Sequence, residues 1–268
     1  MSAQTLTEKP ANSIVPDRLL PWVGSAAFIL AVEIFARSGF ISQQFFPAPS
    51  TMAITLVGQF ASPRFWIAVW NTLWTWALSL AIAAVLGIAF GIVMGASKYL
   101  YAALRLIVEF LRPIPSVALI PAVILVIGVN FESKIFLAAF AAFWPVLIQT
   151  IYGMHDVEPV ALDTARSFGI GPAQRLIRVA VPLALPFIAT GIRVGSAVAL
   201  IIVVTMEIVV GIPGLGELIL VARQGANVEV AYALILASGL LGWGLNTLFA
   251  LLEEKLLFWH PSFRKTAP

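Results

Sequence analysis

The sequence predicts an all-α polytopic membrane protein: six transmembrane helices, with a short cytoplasmic helical hairpin between the fourth and fifth. Three observations carry that prediction. Of 268 residues, 60% are hydrophobic and 11% charged. A soluble domain has roughly 45–50% apolar and about 25% charged residues, so this chain has too few charges to cover a globule of its size. Six apolar runs, bounded by charges, Gly and Pro, are of the order of the roughly 20 residues that cross a bilayer. The sixteen Lys and Arg residues are distributed unevenly between the two sides that six spans define.

The N-terminal stretch is polar, with Pro10, Asn12, Pro16 and Asp17, and lacks the layout of a cleavable signal, so the first run is retained. The runs are Pro21 to Ala36, Trp66 to Ala96, Leu104 to Gly128, Ile135 to Tyr152, Leu183 to Val210 and Ala231 to Leu252. Residues 1–20 and 259–268 form short tails, and 21–258 a single six-span transmembrane domain. Six spans put both termini on one side. Lys9, Arg18, Lys98, Arg105, Arg112, Arg166, Arg175, Arg178, Arg193, Lys255, Arg264 and Lys265 lie on or near that side, against Arg37, Arg64, Lys134 and Arg223 opposite. Positive residues accumulate in the cytoplasm, so both termini are expected there. The net charge of +3 is thus a topology signal rather than a nucleic-acid signal.

Between the first two spans, Phe46-Pro47-Ala48-Pro49-Ser50-Thr51 breaks the chain. Ser50 or Thr51 can cap a short interfacial helix after it. Between the fourth and fifth spans, Pro159 suits the first turn of a helix and Gly169 the left-handed residue just past its end. Val160, Ala161, Thr164, Ala165 and Phe168 share one face of that helix, with Asp163 and Arg166 projecting away. A second helix is expected from Gly171-Pro172 through Arg175 and Arg178 to Val181, before Pro182 and Pro186 mark entry to the fifth span.

The hairpin also carries a resemblance. Asp163-Thr164-Ala165-Arg166-Ser167-Phe168-Gly169, followed by Val179-Ala180-Val181-Pro182, resembles the Glu-Ala-Ala, three residues, Gly, nine residues, Ile, one residue, Leu-Pro signature of permease subunits in bacterial ATP-binding-cassette importers. Ala165, Gly169 and Pro182 are identical to the signature, and Asp163, Thr164, Val179 and Val181 are conservative departures. Phe110-Leu111-Arg112-Pro113-Ile114-Pro115, Ala118-Leu119-Ile120-Pro121, Ser133-Lys134-Ile135, Met206-Glu207, Gly214-Leu215-Gly216 and Trp259-His260-Pro261 are similar to the subgroup importing taurine, aliphatic sulfonates and nitrate. The resemblance extends over nearly the whole chain. It implies a type I importer permease of the bacterial inner membrane, with both termini cytoplasmic. It also implies partners: a second copy of the chain, two cytoplasmic ATPase subunits that bind ATP and Mg, and an extracytoplasmic solute-binding protein. Residues at about 158–169 would be the coupling helix, with Ala161, Asp163, Thr164, Ala165, Arg166 and Gly169 at the ATPase contact. No cofactor is expected in this chain, and no nucleic-acid partner.

Other residues have both structural and functional readings. Gly87, Gly91 and Gly95 line one face of the second span, and Gly191 and Gly195 do so on the fifth; internal packing is favoured over a dimer seam. Ionisable groups inside spans are candidates by default. Glu207, near the outer end of the fifth span, and Thr205 beside it are candidates for the translocation path or its gate, with helix-end anchoring the alternative for Glu207. Arg193 lies about 21 Å from Glu207 along the helix, too far to pair, and is expected to snorkel inward. Glu33 with Arg37, and Arg105, Glu109 and Arg112, have the spacing of local ion pairs. Pro113, Pro115 and Pro121 interrupt the third span, making it a candidate wall of the pathway. Trp66, Trp70, Trp74 and Trp76 suit an interfacial belt and packing.

Two further classes fit less well. An intramembrane enzyme needs a nucleophile and base, or metal ligands, at bilayer depth. The chain has no cysteine, and its two histidines, His155 and His260, both fall outside the spans. A passive channel leaves the patterned hairpin unexplained. A phosphate-binding Gly-x-x-x-x-Gly-Lys-Ser/Thr loop is missing, since Gly95-Ala96-Ser97-Lys98 lacks the spacing, so ATP hydrolysis is assigned to another polypeptide. The substrate expected from the resemblance is a small anion, with bicarbonate, thiamine precursors, riboflavin or aromatic carboxylates as alternatives. Few basic residues lie away from span ends, which is compatible with selection by the binding protein and equally with a neutral substrate.

Overall fold

The computed structural model describes residues 19–257 except residue 43, and its regular structure is helical throughout. The basic residues Lys9, Arg18, Arg264 and Lys265, the Trp259-His260-Pro261 motif and nearly all of both tails lie outside the described residues. In chain order the helices are α1 (Leu20–Arg37), α2 (Pro49–Gln59), α3 (Pro63–Ala96), α4 (Lys98–Leu111), a 3-10 turn (Ser116–Leu119), α5 (Ile120–Ile127), α6 (Phe131–His155), α7 (Pro159–Ser167), α8 (Pro172–Arg175), a π turn (Leu176–Ala180), α9 (Val181–Val210), α10 (Leu215–Gln224) and α11 (Val228–Leu256).

Helix α6 is the centre of the bundle, and glycine puts it there. On α3, a Cβ at Gly87, Gly91 or Gly95 would lie 2.8, 2.5 or 2.5 Å from side-chain atoms of Val146, Thr150 and Met154 of α6. On α9, a Cβ at Gly191 would lie 2.9 Å from Gln149 Cβ, and at Gly195 3.1 Å from the Ala142 carbonyl and Val146. Both glycine stripes therefore floor grooves that receive α6, which establishes their role in internal packing. Small residues suit this, because lipid tails are as apolar as Leu and helix association in a bilayer rests on close backbone approach.

The same contacts fix topology. Residue numbers rise together along α3 and α6, so the two helices run parallel, while α9 runs antiparallel to them. The chain between α3 and α6 must return across the membrane. Among the described residues five helices are long and apolar enough to span alone, and α4 with residues 116–127 forms a bent pair that supplies the sixth crossing. The third span is therefore not the single helix expected from Leu104 to Gly128: its legs meet at 78°. The cause is local. Pro113 and Pro115 lack the N–H groups a continuing helix needs, and Ile114 between them precedes a proline and is steered from helical geometry, while Arg112 still closes α4 with helical dihedrals. The first leg, α4, is amphipathic and starts from a Ser97 cap that accepts the Leu100 N–H. Its Arg105 and Glu109 pair at 2.6 Å, as the spacing predicts.

One other expectation needs correction, and another is extended. Ser50 and Thr51 do not cap α2, which starts one residue earlier at Pro49. Instead Glu33 of α1 accepts the Ser50 N–H at 3.0 Å and its hydroxyl at 2.7 Å, while also pairing with Arg37 at 2.6 Å. A carboxylate at a helix N-terminus satisfies orphan donors and opposes the dipole, so α1 provides the cap for α2. The inward reach expected of Arg193 ends on a protein partner that the expectation did not include. Arg193 meets Glu253 of α11 at 3.2 Å, a partner sixty positions away that helical spacing could not reveal.

Gly91→Val is expected to destabilise the bundle by about 1–3 kcal/mol through overpacking against Thr150. Gly58→Ala on α2, where nothing lies within 4 Å of the added carbon, should be nearly neutral. Thermal unfolding of the two variants in detergent gives the comparison; equal melting temperatures would contradict this account of α6 packing.

Candidate functional site

The first candidate site is the hairpin between α6 and α9. Helix α7 opens on Pro159 and closes at Gly169, whose φ is +73°. The Gly169 N–H donates to the Arg166 carbonyl at 2.9 Å, and the Ile170 N–H to the Ala165 carbonyl at 3.1 Å. This pair of bonds is a Schellman motif, in which glycine avoids the steric cost of the left-handed residue. Ala165 is buried, and Leu162 joins the apolar cluster of Met154, Val157, Ala180, Ala184 and Ile188 at the inner ends of α6 and α9. Val160 and Phe168 are 72% and 81% exposed, with exposed Thr164 between them. The face expected from spacing therefore splits. Ala165 turns to the body of the protein, while Val160, Thr164 and Phe168, at i, i+4 and i+8, form an outward stripe. Asp163 and Arg166 are exposed and lie 3.2 Å apart.

The second hairpin helix does not stop at Val181 as the sequence predicts. It passes through the π turn directly into α9, with the Val181 N–H bonded to the Leu176 carbonyl. A wide turn just before Pro182 accommodates a ring that would otherwise crowd the carbonyl one turn earlier. The second hairpin helix is consequently continuous with the fifth span.

The second candidate site surrounds Glu207. Its carboxylate is 0% exposed and lies 2.8 Å from Nζ of Lys134, also 0% exposed, at the start of α6. The Thr72 hydroxyl of α3 lies 3.0 Å from each carboxylate oxygen, and the Gly216 N–H donates to Oε2 at 2.9 Å. Thr72 accepts the Leu215 N–H at 2.9 Å, and Lys134 donates to the Pro213 carbonyl at 3.1 Å and sits over the Phe131 ring. The Thr72 hydroxyl and the carboxylate thereby accept the first two N–H groups of α10, and the ammonium holds a carbonyl of the loop preceding it. Glycine at 214 and 216 is required by closeness: a Cβ at Gly214 would overlap the carboxylate, and one at Gly216 would lie 2.5 Å from the Val204 carbonyl. The cluster ties α3, α6, α9 and α10 together at the outer end.

Sequence reasoning singled out Glu207 and missed its partner. Lys134 reads as an outer topology charge, though a lysine in the first turn of an apolar helix, with no nearby acid except Glu132, was the signal available. Thr205 does not join Glu207: its hydroxyl donates to the Ile201 carbonyl at 2.6 Å, in the helix's own backbone. Pro113 and Pro115 lie at the bend of the third span and take part in neither set of contacts.

Residues 83–257 match the protein family described as "Binding-protein-dependent transport system inner membrane component". The chain is 31% identical to the putative aliphatic sulfonates transport permease protein SsuC of Bacillus subtilis (strain 168), over 98% of this chain and 95% of that protein. It is also 31% identical to the taurine transport system permease protein TauC of Escherichia coli (strain K12), over 89% of each. The fold is similar to a chain of an inward-facing MetNI methionine ABC transporter structure, with TM-score 0.62 and 20% identity over 71% of this chain and 96% of that one.

Lys134→Met with Glu207 intact leaves a buried carboxylate without its counter-charge and should cost about 3–5 kcal/mol. Lys134→Met combined with Glu207→Gln should cost less than that single change, so thermal unfolding gives a coupling energy of clear sign. Additive losses would show that the pair does not act as a unit. Taken with the six-crossing bundle and the exposed hairpin, the family match and its coverage place this chain among the binding-protein-dependent transport system inner membrane components: it is the multi-pass permease subunit of an ATP-binding-cassette importer, with ATP hydrolysis in a separate subunit.

Proposed function

We propose that the importer carries a small anion such as taurine, an alkanesulfonate or nitrate, and that α7 is its coupling helix. On this reading two copies of the chain enclose the pathway, and two cytoplasmic ATPases dock on the hairpins. An extracytoplasmic solute-binding protein supplies the substrate, and both termini are cytoplasmic. ATP and Mg belong to the ATPase partners, and this chain needs no cofactor. Ala161, Asp163, Thr164, Ala165, Arg166 and Gly169 form or support the docking surface.

The observation that carries this reading is the outward stripe of Val160, Thr164 and Phe168 on the capped helix of a hairpin that continues into α9. A large exposed aromatic beside an exposed β-branched residue is characteristic of a partner surface rather than a solvated loop. The Schellman closure holds that stripe on a defined axis, and the continuous helix behind it offers a route for force. Closure of ATPases on two such hairpins would rock each bundle as a body around the pathway. The relatives' names support a sulfonate-like substrate.

Phe168→Asp should abolish co-purification with the cognate ATPase while leaving the permease folded, because the residue is exposed. Gly169→Val forces a β-branched residue into the left-handed region at a cost of about 1–2 kcal/mol and should weaken docking. Gly169→Asn, which tolerates that conformation, should retain it. Unchanged ATPase recovery with Phe168→Asp would remove the hairpin from the interface. Uptake of labelled taurine, ethanesulfonate and nitrate by the full complex in proteoliposomes tests the substrate class.

A further inference from the structure

We propose that the groove at the bend of the third span is an anion-contact site of the translocation path, and that Arg112 is its charge-selecting residue. The inference rests on the anion-importer reading above and names the side chains that would meet the substrate.

The groove lies between the bent third span, α6 and α9, with a volume of about 420 Å³. That falls within the roughly 300–1,000 Å³ of small-molecule sites. Its polar lining consists of Arg112 and Ser116 on either side of the bend and Trp144, Gln149 and Tyr152 on α6. Among the described residues none of these five side chains has a hydrogen-bond or ion-pair partner, although Trp144 makes aromatic contacts. All five can donate: a guanidinium, a hydroxyl, an indole N–H, an amide NH₂ and a phenol. The lining contains no carboxylate. Glu109, the acid on the same leg as Arg112, is already held by Arg105 at 2.6 Å.

Depth decides what this surface faces. Tyr152 is one turn from the inner end of α6, Gln149 about 9 Å from it and Trp144 about 16 Å at 1.5 Å per residue. The groove thus climbs from the inner interface into the bilayer. Unpartnered donors at that depth are costly against acyl chains and are tolerated where they line water. A run of unpaired donors with one fixed cation therefore marks the water-filled side of the bundle. A guanidinium presents a planar fork to two oxygens of an oxyanion. Ser116, Gln149 and Tyr152 can replace further water contacts of a sulfonate or nitrate as it passes. The prolines produce the bend that brings Arg112 and Ser116 to this wall, so Pro113 and Pro115 act on the path through geometry rather than contact.

The test uses the complete complex of permease, ATPase and binding protein in proteoliposomes, with labelled taurine, ethanesulfonate and nitrate as probes. Loss of one charge-assisted hydrogen bond corresponds to about 10- to 100-fold, so Arg112→Gln should lower uptake by that order. Arg112→Lys should fall between it and wild type, Arg112→Glu below it, and Gln149→Leu should show a smaller loss. ATPase co-purification verifies that each variant is assembled. Wild-type uptake by Arg112→Gln, or equal losses in the Lys, Gln and Glu variants, would overturn the assignment and leave a packing role. Failure of wild-type protein to import any of the three oxyanion-bearing probes would instead refute the anion-importer reading itself.

Discussion

The fit of α6 into two glycine-floored grooves is the constraint on which the rest of this structure depends. A bilayer gives little hydrophobic reward for bringing helices together, so their relative positions rest on how closely backbones can approach. Gly87, Gly91 and Gly95 on one side and Gly191 and Gly195 on the other determine that approach. Three consequences follow from it. Helices α3 and α6 become parallel, which obliges the intervening chain to cross back. The start of α6 is carried to the outer end of α9, where Lys134 meets Glu207. The inner end of α6 is held against α9, where Met154 and Val157 seat the hairpin.

The two ends of the bundle are stabilised by different physics. At the outer end a buried ion pair holds the loop after α9 and the first turn of α10, and every partner is a fixed dipole or charge. Such a pair gives little net stability relative to an apolar replacement, but losing either member is expensive. It therefore specifies one arrangement of α10 rather than strengthening the fold in general. At the inner end the hairpin is held by apolar contacts and by backbone bonds within its own cap, and its outer stripe remains free. Buried charge and hydrogen bonding are concentrated at one end of the bundle, and exposed apolar surface at the other.

Much of this was legible in the sequence, for identifiable reasons. Span positions, the α7 boundaries, Gly169 and the ion pairs of Glu33 and Arg105 depend on periodicity or on spacing within one helix, and sequence displays both. What was not legible depends on tertiary proximity. Lys134 is 73 positions from Glu207, and Arg193 is 60 from Glu253; no local pattern joins either pair. The bend of the third span was half legible: prolines signalled a break, but not the 78° angle that makes two legs of one crossing. The shared face of α7 divides at Ala165, which meets the body of the protein, because helical spacing defines faces but not which neighbour each one meets.

The bend and the scarcity of basic residues in the spans bear on one another. A guanidinium in the middle of a straight helix would have to find a partner or face lipid, and the chain has placed almost none there. Breaking the third span at Pro113 and Pro115 lets Arg112 end one leg and Ser116 begin the next, both directed into the groove beside Gln149. A cation can thus sit on the path without lying inside a continuous apolar helix. The same break frees backbone groups that only a hydrated or protein-lined space can satisfy, so the feature that admits the charge also requires the water that an anion would travel with.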